Sequence, residues 1–280
     1  MKTASKIRLC CIILGIALTA ALLPGLAADD ADGEANRIAV VIRAGAEGEP
    51  DETLYTHLIA DTAYVPVKAF SVAMGALGVY RDGDRAIVVA PGLELSAAAG
   101  EAYVVANGRY LYAPTGLLER DGEIIAPVRP LAAAFGASVY WSGANRSVVV
   151  TRGDRPLTAP PYSEDDLYWM ARIIKAEAGG EIFLGKLAVG SVIMNRVASP
   201  EFPGTVYGVI FDKRFGVQFT PAYSGAIHNT PSQECVVAAK LALEGVDIVG
   251  GSLYFSSTTA CWAERNRARY GSIQNHIFYL

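Results

Sequence analysis

Two carboxylic acids, Glu177 and Glu181, stand four residues apart on either side of the pair Gly179-Gly180. A glycine pair after a periodic apolar pattern is typical of the end of a helix, so Glu177 is expected in a last helical turn. There the negative end of the helix dipole and apolar neighbours both disfavour the carboxylate and raise its pKa. The pattern therefore predicts a general acid near neutral pH. Glu177 shares its helical stripe with five core candidates: Leu167, Met170, Ala171, Ile174 and Ala178.

Other interpretations of both acids stay open on these residues. Glu177 could be a surface acid beside a loop, or could be neutralised by Arg172 or Lys175. Glu181 could be a retaining nucleophile if about 5.5 Å separated the two carboxyls, or an inverting base at roughly 6.5 to 9.5 Å. It could also be a solvated loop acid. We favour a supporting role for Glu181, through hydrogen bonds that hold the loop or Glu177.

Sugar contacts are expected from amide, imidazole and aromatic side chains, because amides and imidazoles bond hydroxyl or acetamido groups and rings cover the apolar face of a sugar. Tyr254 and His276 suit core positions equally well, since each is next to a phenylalanine in a β-like run. The candidate substrate-binding residues are Gln218, Phe219, Tyr254, Trp262, Asn275 and His276.

Other chemistries find little support in the second half of the chain. His228 and His276 are its only histidines, and Cys235 and Cys261 are at no ligand spacing, which disfavours a zinc amidase. No nucleophile elbow or phosphate loop is present. We expect no metal and no cofactor. Whether the two cysteines form a disulfide is left open.

Three predicted helices position the acids. The first begins at Ser163, where Ser163 and Asp166 suggest a capping box. The second, about 184–197, is apolar on most faces and is predicted to be the buried central helix. The third is expected to open with Thr230 as its cap and to end at Gly245, with Cys235 on its inner side.

The first half of the chain contains an internal repeat. Residues 65–89 align without a gap on residues 126–150, at a constant offset of 61. In each copy the pattern predicts a short strand, a helix from about Lys68 or Arg129, a glycine stop and a β-hairpin. Residues 153–162 contain three prolines, which predicts a linker between this part and the helical part.

The first residues have the order of a secretory signal peptide: basic residues, an apolar run over 9–23, then Pro24-Gly25 and small residues. We predict removal of residues 1–27, which takes Cys10 and Cys11 away and leaves no stable membrane span. The remaining chain has 21 basic and 28 acidic residues. This acidic balance, without a basic stripe, makes nucleic acid an unsuitable partner.

A resemblance covers residues 167–279, which are similar to the SleB cell wall hydrolase family. It rests on the segments ARIIKAEAGGE at 171–181, GKLAV at 185–189 and VIMNRV at 192–197, followed by FP at 202, VIF at 209, QF at 218, TP at 230, AA at 238, LYF at 253 and NHIF at 275. The resemblance implies a compact lysozyme-like fold and one catalytic glutamate, which by its place in the AEAGGE motif is Glu177. Several members act as lytic transglycosylases. Residues 221–228 and 258–269 depart from the family pattern.

The repeat part, residues 38–152, resembles the copper amine oxidase N-terminal-like module. That module is not the copper-bearing part of those oxidases. His57 is the only histidine in this half, so the residues do not favour a copper site. A wall-associated or spacing role is expected.

These observations predict an α+β chain with a signal peptide at 1–27, a two-repeat α+β domain at 38–152, a linker at 153–162, and a small, mainly helical lysozyme-like domain at 163–280. The expected function is an exported enzyme of the cell wall, spore cortex or extracellular space that cleaves the β-1,4 bond between N-acetylmuramic acid and N-acetylglucosamine in peptidoglycan glycan strands. As a lytic transglycosylase it would leave 1,6-anhydro-muramic acid ends. The alternatives are a muramidase that uses water and a non-catalytic wall-binding protein. The sequence does not indicate the oligomeric state, or whether the substrate is spore cortex or vegetative wall.

Overall fold

The computed structural model describes residues 37–43, 51–214 and 216–280. The predicted signal peptide lies outside the described residues. The first part of the chain is rich in strands. Its strands are β1 (Arg37–Arg43), β2 (Glu52–Ile59), β3 (Thr62–Pro66), β4 (Gly78–Asp82), β5 (Arg85–Ala90), β6 (Leu93–Ala98), β7 (Tyr103–Ala106), β8 (Arg109–Tyr112), β9 (Leu118–Arg120), β10 (Glu123–Pro127), β11 (Ser138–Ser142) and β12 (Ser147–Thr151).

The predicted repeat is confirmed as a structural repeat. In the first copy β3 leads into helix α1 (Val67–Ala73) and the β4–β5 hairpin, and in the second β10 leads into helix α2 (Val128–Ala134) and the β11–β12 hairpin. Each helix begins directly after a proline, Pro66 or Pro127, whose fixed φ holds the chain extended before the first turn. The two copies join through antiparallel pairing of β3 with β10.

The strands form two sheets that enclose one core. The seven-stranded sheet has the order β11-β12-β1-β2-β3-β10-β9, and the five-stranded sheet is a meander from β4 to β8. The hairpins of the two repeats therefore belong to different sheets, and β1 pairs in parallel with β12. Phe70 of α1 meets Phe135 edge to face, with ring centroids 6.2 Å apart, at the centre of the shared core.

The second part of the chain is mainly helical. Its elements are α3 (Glu164–Ala178), α4 (Phe183–Ala198), α5 (Val206–Ile210), α6 (Pro221–Ser224), a 3-10 turn (Ala226–His228), α7 (Gln233–Leu243), β13 (Tyr254–Ser256), α8 (Trp262–Asn266), β14 (Arg269–Ile273) and β15 (His276–Tyr279). The last three strands form a small sheet of order β13-β15-β14. The α+β class, with strands first and helices second, is confirmed.

Helices α3, α4 and α7 pack on one another and carry the second core. The capping box at Ser163 is confirmed, since its hydroxyl accepts from the Asp166 N–H while the Asp166 carboxylate accepts from the Ser163 N–H. The prediction of a buried α4 is also confirmed. Gly190 lets α4 approach α7 closely, because a Cβ there would lie 2.7 Å from the Cβ of Ala242.

The predicted start of the third helix is wrong by two residues. Its N-cap is Ser232, whose hydroxyl accepts from the Cys235 N–H, and not Thr230. Pro231 therefore precedes the cap. A serine is as good a cap as a threonine, and the sequence offers both within three residues. Cys235 lies on the buried side of α7, as predicted.

The two parts of the chain are in contact through the β7–β8 hairpin. Tyr103 and Tyr110 are buried together with the helical core. An ion pair also joins β8 to the end of α7: Arg109 Nη2 lies 2.6 Å from Glu244 Oε2. The Glu244 side chain is only 4% exposed. Lys240 Nζ lies 4.4 Å from the Tyr110 ring centroid. The strand-rich part therefore covers one face of α7.

Residues 152–162 contain neither helix nor strand. They are nevertheless attached to the strand-rich part: Asn107 Nδ2 donates to the Leu157 carbonyl over 2.7 Å, and the Leu157 N–H donates to Ala134. Within the described ranges, no helix is both long and apolar enough to cross a membrane.

The ion pair at the contact yields a stability prediction. Arg109→Met should lower the free energy of unfolding by roughly 3 kcal/mol, because it leaves the Glu244 carboxylate buried without its partner. Urea unfolding at pH 7 measures this. The matched control is Glu119→Gln, which removes the exposed partner of Arg81 and should cost less than about 1 kcal/mol. Equal effects of the two variants would contradict the importance of the contact.

Candidate functional site

Glu177 lies in the last turn of α3, one residue before its end. Burial raises the pKa of Glu177 to about 7, and the positive charge of Arg196 opposes that rise. The direction of this shift agrees with the prediction from the sequence, and its main cause is loss of hydration. The carboxyl group is protonated in much of the population at neutral pH.

Helix α3 ends at the predicted glycines, but not through a left-handed cap. Gly179 keeps a helical φ of −59°. A Cβ at this position would lie 2.5 Å from the Lys175 carbonyl oxygen, which is closer than a side chain tolerates. Glu181 is outside the helix, as predicted, and so does not share a helical face with Glu177.

Of the cations that the sequence offers, neither Arg172 nor Lys175 is among the charges that act on Glu177. Arg172 donates from Nη1 to the carbonyls of His228 and Asn229, over 3.0 Å each, and its guanidinium lies over the Tyr168 ring. The cation that acts on Glu177 is Arg196, near the end of α4. The charge that acts on the acid of α3 thus comes from a different helix, α4.

Arg196 is 4% exposed and lies among aromatic rings. Its guanidinium carbon is 4.9 Å from the ring centroid of Phe202, 5.1 Å from Phe219 and 5.6 Å from Tyr254. Its Nε donates to the Leu253 carbonyl over 2.7 Å. Burial lowers the pKa of Arg196 to about 10, so the guanidinium is charged at neutral pH.

Asp212 is a second buried acid that interacts with Arg196. Its carboxylate accepts from Arg214 Nε and Nη2, over 3.0 Å each. These hydrogen bonds lower the pKa of Asp212, and the charges of Arg214 and Arg196 lower it further. Asp212 is therefore an anion at neutral pH, unlike Glu177.

Glu181 is bonded to the turn between β14 and β15. Its carboxylate accepts from Asn275 Nδ2 over 3.0 Å and from the Asn275 N–H over 3.3 Å. Burial alone would raise the pKa of Glu181, but these hydrogen bonds, with the charges of His276 and Lys186, lower it overall. A further hydrogen bond joins the same two segments, because the Ile182 N–H donates to the side-chain oxygen of Gln274. Glu181 thus connects the α3–α4 loop to the final hairpin.

Phe219 and His276 occupy core positions. Phe219 is 1% exposed and His276 is 7% exposed. Both rings contact Phe255, with centroids 6.3 Å and 5.2 Å from it. Burial lowers the pKa of His276, against the charge of Glu181. Neither ring is therefore exposed to a ligand in this structure.

Tyr254, Trp262 and Gln218 are more accessible. Trp262 is 53% exposed and stacks at a tilt on Tyr254, with ring centroids 5.5 Å apart. Arg267 lies over both rings and donates from Nη2 to the Tyr254 hydroxyl over 3.1 Å. Gln218 is half-buried and donates to the Gly216 carbonyl. Tyr254 is the ring that links Trp262 and Arg267 to Arg196.

Among the predicted site residues, Glu181 contacts Asn275, and Tyr254 contacts Trp262. Phe219 and Tyr254 both contact Arg196.

Sequence analysis missed Arg196 and Asp212. Arg196 had a signal: it is a charged residue in a helix whose pattern predicts burial on most faces, and buried charges are rare unless they are paired. Asp212 gave no such signal, since it follows the short α5 in a loop.

Both cysteines of the described part are free thiols, Cys235 buried and Cys261 half-buried. The question left open by the sequence is therefore answered against a disulfide in this structure. Among the described residues, no group of three or more His, Cys, Asp or Glu side chains is arranged to hold a metal ion.

Comparison with known families gives two matches. Residues 180–279 match the Cell Wall Hydrolase family model, and residues 44–150 and 105–168 match that of the copper amine oxidase N-terminal domain. Both resemblances stated from the sequence are confirmed. The cell wall hydrolase match begins three residues after Glu177 and so does not include it.

Curated relatives are named spore cortex-lytic enzyme. That of Bacillus cereus is 36% identical over 154 residues, which cover 49% of this chain and 58% of the relative. That of Halalkalibacterium halodurans is 38% identical over 120 residues, covering 42% and 35%. The chain thus spans little more than half, or less, of these relatives. A solved structure, the catalytic domain of the germination-specific lytic transglycosylase SleB from Bacillus anthracis, is 38% identical with a TM-score of 0.39, and covers 43% of this chain and 98% of that one.

The pKa of Glu177 is raised and that of Glu181 is lowered, so the two acids predict opposite pH dependences of stability. The folded protein holds a proton on Glu177 up to a pKa of about 7, whereas the unfolded chain releases it near 4.5. Raising the pH through this window therefore destabilises the folded state. Glu177→Gln removes this loss. The free energy of unfolding of the variant, relative to that of the unmodified protein, should therefore rise by roughly 2 to 3 kcal/mol between pH 4 and pH 8.

Urea unfolding of both proteins across that range measures the difference. Glu181→Gln is the control, with the opposite sign. The lowered pKa of Glu181 gives stability that is present above its ordinary pKa and is lost on acidification, so this variant should be weakened at pH 7 and approach the unmodified protein in acid. Parallel curves for Glu177→Gln and the unmodified protein would show that the Glu177 pKa is not raised.

Proposed function

We propose that this chain, whose residues 180–279 belong to the cell wall hydrolase family, cleaves peptidoglycan glycan strands with Glu177 as its acid. The observation that carries the proposal is the buried Glu177 carboxyl, with a pKa of about 7, at the end of α3 beside the matched region. A group that is protonated near neutral pH is what protonation of a glycosidic oxygen requires.

In the proposed first step, the Glu177 carboxylic acid donates its proton to the oxygen that joins N-acetylmuramic acid to N-acetylglucosamine. The bond between that oxygen and C1 of the muramic acid breaks. The glucosamine leaves with a free 4-hydroxyl, and C1 acquires oxocarbenium character. Glu177 is then a carboxylate.

In the second step, the 6-hydroxyl oxygen of the same muramic acid attacks C1, and Glu177 takes the hydroxyl proton. A 1,6-anhydro ring forms and the acid is regenerated, with no water consumed. The reacting hydroxyl belongs to the sugar being cleaved, so its effective concentration is high. Glu181 does not compete as a second acid or base in this proposal, because its carboxylate is occupied by the two hydrogen bonds from Asn275.

The sugar contacts are assigned by exposure. We propose that Trp262 and Tyr254 cover the apolar face of a sugar, and that Gln218 bonds its polar groups. Asn275 borders the site while it holds Glu181. Phe219 and His276, which are buried, would support these contacts from below.

The remaining assignments are also proposals. The chain would be exported after loss of residues 1–27 and act in the cell wall or spore cortex. The strand-rich domain at 38–152 would serve as a wall-associated or spacing module, joined through 153–162 to the cleaving domain at 163–280. The face of α7 covered by β7 and β8 suggests that the module also supports the cleaving domain.

Replacing the acid tests the site. Glu177→Gln keeps the shape of the side chain but has no transferable proton, so release of soluble muropeptides should fall at least about 100-fold. Glu181→Gln is the matched control and should be milder. Circular dichroism and a pull-down on purified sacculi show whether each variant folds and binds.

Near-normal cleavage by Glu177→Gln would overturn the assignment of the acid. If the unmodified protein binds sacculi and releases nothing, it is a non-catalytic wall-binding protein.

The product distinguishes the two cleavage chemistries. Internal attack should give fragments that end in 1,6-anhydro-N-acetylmuramic acid, each lighter by one water than a hydrolysis product. Mass spectrometry before and after borohydride treatment reads this directly, since anhydro ends are not reduced. Muramitol after borohydride would mean that water is the nucleophile and that the enzyme is a muramidase.

A further inference from the structure

Five aromatic side chains form a continuous cluster where α3, α5 and α6 meet. Neighbouring ring centroids are 5.0 Å apart for Tyr168 and Trp169, and 5.4 Å apart for Trp169 and Tyr207. They are 4.5 Å apart for Tyr207 and Phe211, and 5.9 Å apart for Phe211 and Tyr223. These five residues are called the aromatic surface below.

The aromatic surface faces solvent and is held from beneath. Tyr168 is 45% exposed, Tyr207 is 51% exposed and Tyr223 is 40% exposed. Trp169 and Phe211 are half-buried and pack on the helical core. The Tyr223 hydroxyl donates to the Phe211 carbonyl over 2.6 Å, which fixes α6 against the end of α5. Exposed rings that adjoin one another in this way mark a surface that contacts a partner.

The aromatic surface is separate from the proposed acid. Tyr168 and Glu177 both lie in α3, nine residues apart. An α-helix turns by about 100° per residue, so the two side chains leave opposite sides of α3. The helix also rises by about 1.5 Å per residue, which separates them by about 13 Å along its axis. A ligand held at Tyr168 therefore leaves the position in front of Glu177 free.

Two cations lie over rings of the aromatic surface. The guanidinium carbon of Arg172 is 4.3 Å from the Tyr168 ring centroid, and Lys213 Nζ is 4.0 Å from that of Tyr223. Neither cation forms an ion pair with an acid in the part of the chain that the structure describes. Arg172 is held in place by its two hydrogen bonds to backbone carbonyls. Both positive charges are therefore available to an anionic group.

Rings and cations together fit a glycan that carries carboxylates at intervals. The C–H faces of sugars stack on aromatic rings, and tyrosine hydroxyls hydrogen-bond to sugar hydroxyls. A partner with closely spaced negative charges, such as a nucleic acid or an anionic membrane, would also meet Glu164 and Asp165, one turn before Tyr168. In peptidoglycan only every second sugar, N-acetylmuramic acid, carries a carboxyl-bearing lactyl group.

We propose that the aromatic surface is a second glycan-binding site, which holds a peptidoglycan strand away from the bond that is cut. The choice of this glycan rests on the proposed function. The exposed tyrosines stack on sugar rings, and Arg172 and Lys213 bind muramic carboxylates. A strand held at a second site stays near the cutting site between turnovers, so the aromatic surface acts on the binding of polymeric substrate and not on the chemical step.

Removing the exposed rings tests the binding. In the Glu177→Gln background, which keeps the strand intact, Tyr168→Ala combined with Tyr207→Ala should raise the Kd for soluble, peptide-free glycan strands at least about tenfold in calorimetry. The matched control is Tyr270→Ala, because Tyr270 is 52% exposed on β14, outside the aromatic surface. Its Kd should stay unchanged. Lys213→Gln should weaken binding more at low salt than at high salt.

Cleavage separates the aromatic surface from the cutting site. With Glu177 intact, the double variant should raise KM for sacculi at least about tenfold and leave kcat unchanged. Cleavage of a short glycan oligomer, which reaches only the cutting site, should also stay unchanged. An equal loss on the short oligomer would place the rings in the cutting site and overturn the proposal. If the unmodified protein cuts nothing, the proposed function fails, while calorimetry still decides on the second site.

An NMR titration tests the proposal without altering the aromatic surface. The indole N–H resonance of Trp169, identified by its absence in Trp169→Phe, should shift when glycan strands are added to the Glu177→Gln protein. An unmoved resonance, or an unchanged Kd in the folded double variant, would overturn the proposal. So would binding of phosphatidylglycerol vesicles, or self-association that depends on Tyr207 in sedimentation, in place of glycan binding.

Discussion

The raised pKa of Glu177 depends on keeping water away from its carboxyl group, and the packing of the helical part provides this. It depends on the packing of α3 against α4 and α7, because packed neighbours remove hydration from a side chain in the last turn. Gly190 permits the close packing of α4 on α7, and α7 in turn supports α3. A shift of any of these helices would admit water to Glu177 and return its pKa towards the ordinary value.

This constraint continues into the strand-rich part. One face of α7 is covered by the β7–β8 hairpin, with Tyr103 and Tyr110 in the helical core and Arg109 paired with Glu244. The linker residues are bonded back to the first part through Asn107 and Leu157. The prolines that make the linker unable to form a helix thus do not make the two parts independent. Removing the first part would take away Tyr103 and Tyr110, which pack with the helical core, and would leave the Glu244 carboxylate without Arg109.

Much of the local structure could be predicted from the sequence, because local signals determine it. The capping box at Ser163, the burial of α4 and the two-copy repeat each follow from a few adjacent residues or from a fixed offset. The start of α7 was misjudged because Thr230 and Ser232 are both good caps, and only packing decides between them. Arg196 was missed for a different reason: its charge acts on Glu177 from another helix, and no spacing in the sequence encodes that relation. The contact of β8 with α7 is likewise a long-range event, between residues 109 and 244.

The two acids on either side of the glycine pair illustrate how position, and not residue type, sets chemistry. Glu177 and Glu181 are four residues apart, yet burial raises the pKa of one and hydrogen bonds from Asn275 lower that of the other. Pairs of titratable groups whose environments separate their pKa values are typical of acid–base sites. Here the separation depends on the end of α3 at Ala178, which leaves Glu177 inside the packed helices and releases Glu181 to the loop. Had the helix continued, both carboxylates would share one face, and the buried one would have an anion beside it that raised its pKa still further. By ending the helix between them and bonding Glu181 to the final hairpin, the chain keeps that second charge fixed elsewhere and leaves Arg196 as the charge that acts on Glu177.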